Sequence, residues 1–80
     1  MIDLNYQARA ELFLGSSWET ATTLGPRPFR IAAHAIRFAF EEAAPVSLAG
    51  ARLQVGDRLF AGRDLEQLYR SRSYPLARKQ

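Results

Sequence analysis

Near neutral pH, one side chain of this 80-residue sequence is a natural proton carrier, the lone His34. On a helix it would lie within a turn of Arg30 and Arg37 and about 20° from Glu41, on the polar side. A catalytic histidine needs a nucleophile in reach and an acid to orient it. Ser16, Ser17 and Ser47 are available, yet none stands in a nucleophile-elbow pattern. Glu41 and Glu42 are the one adjacent carboxylate pair, and helical neighbours point about 100° apart, so they do not share a substrate bond. Cysteine is absent, which removes thiol nucleophiles, disulfides and thiolate metal sites. One histidine is too few for a multi-histidine centre. No glycine-rich phosphate loop occurs: Gly25 precedes a proline, and Gly56 and Gly62 read as turn glycines. The expectation is a chain that is not an enzyme and uses no metal or cofactor. An enzyme with a site shared between subunits, built on His34 and Glu41, is the minor alternative.

Two other groups of residues have binding chemistry. The net charge of +3 is unevenly placed: residues 1–69 hold seven arginines against eight acids, and residues 70–80 hold Arg70, Arg72, Arg78 and Lys79 with no acid. In Arg70-Ser71-Arg72-Ser73-Tyr74, guanidinium, hydroxyl and aromatic groups suit phosphates and base stacking. Nucleic-acid binding by Arg70, Arg72, Arg78 and Lys79 is one reading of this tail. A solvated terminus is the stronger one, because the run is short, the body near neutral and no helix-turn-helix or RNA-recognition motif is visible. The second group is apolar. Phe13 and Trp18 have no place in the main apolar stripe, and Ile31 and Phe38 fall on its flank, beside Glu42. Aromatic residues anchor interfaces. These four are the protein-interaction candidates, with self-association the leading reading; an N-terminal segment folded over the helix flank would bury them instead.

The elements that position these groups follow from periodicity. Ala10–Leu14, bounded by Gly15-Ser16-Ser17, reads as a strand with Leu12 and Leu14 on one face and Phe13 on the other; a short helix starting before Ala8 competes. Trp18–Thr23, rich in β-branched and aromatic residues, is expected as a second strand, or as part of a loop over residues 15–28. Pro28 restricts Arg27–Arg30 to an edge strand at most. From about Ile31 to Ala44, Ala32, Ala35, Ile36, Ala39, Phe40 and Ala43 fall on one helical stripe, and Pro45 stops the helix. Alanines let such a helix lie close to a sheet, and Phe29 is placed to pack back on its first turn. Arg52–Val55, Gly56-Asp57 and Arg58–Ala61 spell a hairpin with a type II′ turn; Leu53 and Val55 share a face, and either Phe60 or Leu59 with Ala61 joins them. Asp64, followed by Gln67, reads as the cap of a short helix carrying Leu65, Leu68 and Tyr69.

The expected architecture is α+β: a small, mostly antiparallel sheet of three to four strands with one long and one short helix on one face, in the order β-(β)-α-β-β-α. The chain length suits a single domain over residues 1–80, with 1–8 a lead-in and 73–80 a flexible tail. No apolar run reaches the ~18 residues of a membrane span, and Met1–Asn5 lacks the basic start of a signal peptide, so the cytoplasm is the expected compartment. Ala35–Glu42 and Leu65–Tyr69, with the hairpin between them, resemble small uncharacterised proteins of GC-rich, proteobacterial-like genomes, over residues 29–76. That resemblance implies no activity and no functional residue.

Overall fold

The structure, a computed structural model, describes residues 4–77. Four strands, β1 (Ala10–Phe13), β2 (Arg27–Phe29), β3 (Arg52–Val55) and β4 (Arg58–Ala61), form one sheet in the order β2-β1-β3-β4. Every neighbouring pair is antiparallel. Three α-helices, α1 (Trp18–Leu24), α2 (Ala32–Arg37) and α3 (Arg63–Arg70), complete the mixed α+β fold.

The hairpin forms as its sequence predicts. Gly56 has φ +60°, and among the described residues no other residue type takes positive φ, so Asp57 does not, as a type II′ turn requires. The two-residue loop pairs Val55 with Arg58 and hence Leu53 with Phe60. Phe60 is therefore the residue that joins Leu53 on the core face, and Leu59 and Ala61 point the other way.

The alanine stripe also behaves as periodicity demands. Ala32, Ala35, Ile36 and Ala39 are fully buried over Leu12, Leu53 and Phe60. Ala33, off that stripe, is equally buried because the N-terminal segment lies over it: the Ala33 N–H donates to the Tyr6 carbonyl and the Ala32 N–H to that of Ala8. The lead-in is thus part of the core, through Leu4 and Tyr6. Regular α-geometry ends earlier than expected. Phe38–Glu42 form a π turn closed by the Ala43 N–H on the Phe38 carbonyl, and Ala44 is already extended before Pro45.

Three expectations are corrected. Trp18–Thr23 is neither strand nor loop but most of α1: the Ser17 hydroxyl caps it by accepting the Thr20 N–H at 3.2 Å. The Thr22 and Thr23 hydroxyls donate to the carbonyls of Trp18 and Glu19, four residues back, which satisfies polar groups that would otherwise favour extended chain. Asp64 is not a cap; Gly62 holds that position without a side-chain bond, and Asp64 sits in the first turn, where its charge suits the helix dipole. The chain after α3 does not trail away at residue 73: Tyr74, 6% exposed, packs against Tyr6 and Tyr69. Residues 78–80 lie outside the described residues.

α2 and α3 cover one face of the sheet. α1 reaches the other, held by close backbone approach. The Gly15 N–H donates to the Ser47 carbonyl and the Gly50 N–H to that of Gly15, and a Cβ at Gly50 would run into the Ser17 backbone.

Candidate functional site

The face of the sheet away from α2 and α3 is laid out by register. Cross-strand partners share a face, so Phe13, Arg52 and Ala61 form one row across β1, β3 and β4, and Pro28, Glu11, Gln54 and Leu59 form the next, across all four strands. The first row is aromatic. Trp18, from the start of α1, meets Phe13 edge-to-face at 5.3 Å between ring centroids, and the Arg52 guanidinium lies 5.0 Å from the Trp18 ring. Arg52 also donates from Nη1 to the Ala51 carbonyl at 2.9 Å. Trp18 remains 37% exposed. Two of the four interaction candidates, Phe13 and Trp18, are therefore brought together on this open face.

The other two stand elsewhere. Ile31 precedes α2 and Phe38 opens the π turn; both are half-buried against the core. Phe38 lies 5.8 Å from the Phe29 ring, with the Arg27 guanidinium 4.5 Å from its own centroid. Edge strand β2 closes this flank. Phe29 packs back toward the helical segment, meeting Phe38 in the π turn. The four candidates do not make one surface.

Of the basic candidates, Arg70 is paired with Glu66 at 3.0 Å along α3, and Arg72 is exposed. Arg78 and Lys79 lie outside the described residues. His34 is exposed, whereas Glu41 accepts a hydrogen bond from the Tyr69 hydroxyl at 2.7 Å. That hydroxyl belongs to a ladder of rings: Phe40 stacks on Tyr69 at 4.8 Å, Tyr69 tilts on Tyr74, and Tyr74 meets Tyr6 edge-on. Tyr6 in turn donates to the Leu68 carbonyl at 2.8 Å, which ties the N-terminal segment to α3.

The two edges of the sheet differ, and backbone parity shows how. In an antiparallel ladder, successive residues turn their N–H and C=O groups alternately to one neighbour and to the other. The two-residue loop makes Val55 and Arg58 a hydrogen-bonded pair, so Leu53 and Phe60 are one too. Leu59 and Ala61 then direct their N–H and C=O groups outward from β4. Continuing the alternation through β3 and β1, Pro28 is the outward-facing residue of β2. Proline has no N–H, so that edge is blunted. β4 has no such protection, and Leu59 is 51% exposed. This edge is absent from the candidates that composition suggested, although the Gly56-Asp57 loop alone fixes the parity that reveals it.

No protein-family model, curated protein or solved structure matches this chain. No helix among the described residues is long and apolar enough to cross a membrane.

Proposed function

We propose that this chain is a non-enzymatic protein-interaction module that pairs with a second copy of itself through β4, in the cytoplasm that its cysteine-free composition suits. The single observation carrying the reading is the edge at Leu59 and Ala61, which no strand among the described residues pairs, opposite an edge closed by Pro28. A two-fold axis midway between the two Phe60 residues sets Leu59 against Ala61 of the second copy, twice over. Each such pair exchanges two hydrogen bonds, and like faces stay together. The same register places Arg58 against Gly62 of the second copy, so the two arginines do not meet. Leu59 loses part of its exposure against Ala61 of the second copy, and Phe13, Trp18 and Arg52 remain on the continuous outer face.

Magnitudes limit the affinity. Four backbone hydrogen bonds contribute roughly 0.5–1.5 kcal/mol each, against an association cost of at least about 4 kcal/mol. Covering part of the exposed surface of two leucines adds about 1 kcal/mol each. The pair is therefore weak and reversible, forming at about millimolar concentration or above. Light scattering across a concentration series should show monomer giving way to dimer. L59P, which copies the Pro28 device at an outward-facing position, should hold the chain monomeric with its circular dichroism unchanged. Wild-type chain that stays monomeric throughout, or L59P that dimerises equally well, would overturn the reading.

A further inference from the structure

The far end of the open face is charged rather than aromatic. One step beyond the Ala10–Phe29 pair of β1 and β2 stand Arg9 and Arg30, both exposed and on the outer side. Like charges facing each other on neighbouring strands destabilise a sheet. Among the described residues neither arginine has an ion-pair partner; the ion pair they contain is Arg70–Glu66. Both arginines line a concavity of about 530 Å³ together with Glu11, Pro28, Gln54 and Gly56. Register accounts for its shape. Glu11 sits between Pro28 and Gln54 across three strands. The compact proline ring and the missing side chain at Gly56 keep the floor low, and the long side chains of Arg9, Arg30 and Gln54 make the walls.

We propose that this notch binds a phosphate group carried on a small molecule, held between the guanidinium groups of Arg9 and Arg30. Two forks in fixed planar geometry match the oxygens of a tetrahedral anion, and the anion removes the repulsion that the pair otherwise suffers. The Gln54 amide, which now donates to the Gly56 carbonyl at 3.3 Å, supplies a third donor at the rim. Glu11 is the one carboxylate of the notch and leaves it with a net charge of +1. It favours a ligand whose hydroxyl group lies next to the phosphate, because that hydroxyl can donate to it. The site stands apart from β4 and does not depend on self-pairing.

Nuclear magnetic resonance titration of the full chain at low ionic strength tests this, with inorganic phosphate and glycerol phosphate as probes and sodium chloride as the ionic-strength control. Both probes should produce saturating amide shifts centred on Arg9, Glu11, Arg30 and Gln54, with glycerol phosphate the tighter. R9Q and R30Q should each weaken binding roughly tenfold, the loss expected for one charge-assisted hydrogen bond. The same two substitutions should raise the melting temperature without phosphate and reduce its further rise at a given phosphate concentration. E11Q should tighten inorganic phosphate and erase the preference for glycerol phosphate. Shifts that never saturate, that chloride reproduces, or whose midpoint is unmoved in both arginine variants would overturn the proposal. L59P should leave it untouched.

Discussion

The two faces of the sheet share strands but follow different physics. Leu53 and Gln54 are neighbours on β3. The first is fully buried under α2 and the second lies half-open on the other side. On the inner face, Leu12, Leu53, Phe60 and the alanines of α2 exclude water, and rings from three distant segments close the perimeter. On the outer face stand long polar side chains and one aromatic pair, and beside it runs the β4 edge, unpaired among the described residues. In so small a domain one core is all the chain can build, so one sheet face holds the fold together and the other is left for contact. Among the described residues no polar or charged residue is buried, which keeps the recognition chemistry on the outside.

Substitutions sharpen this contrast, and the largest effect belongs to the inner face. Leu53→Ala should cost about 2–5 kcal/mol in denaturant unfolding, because a close-packed site beneath alanines has little freedom to collapse. A loss below about 1 kcal/mol would mean that the inner face is not the packed side. Tyr6→Phe should come next, at about 1–2 kcal/mol, since it leaves the buried Leu68 carbonyl without its donor. That value also measures how firmly the N-terminal segment is sewn to α3. Gln54→Ala, one residue from Leu53, should change stability by less than about 0.5 kcal/mol. A large loss there would break the claim that the outer face is not needed for folding.

Much of the fold is legible locally. A two-residue glycine loop sets the β3–β4 register, and alanines at helical spacing mark the buried side of α2. The misreadings have physical causes. Trp18 and three threonines suggest extended chain by propensity, but Ser17 at the start and Gly25-Pro26 at the end are helix boundary signals, and these local bonds outweighed propensity. Tyr6 and Tyr74 left no trace in periodicity because their partners lie far along the chain: the Tyr6 hydroxyl reaches Leu68, and contacts of that separation have no local signature. The candidate surface was half legible. Phe13 and Trp18 meet through the turn at Gly15–Ser17. Ile31 and Phe38 part from them because β2, the edge strand that Pro28 allows at most, shields that side. The outer edge of β4 was encoded by parity alone, which residue type does not reveal.

Pro28 has a further consequence for assembly. A sheet that templates on both borders can add copies without end, as fibres do. Here one border is mute, so a twofold union would spend the single adhesive border of each molecule and turn proline outward at both ends. Growth would halt at two, and the product would be a closed particle rather than a filament.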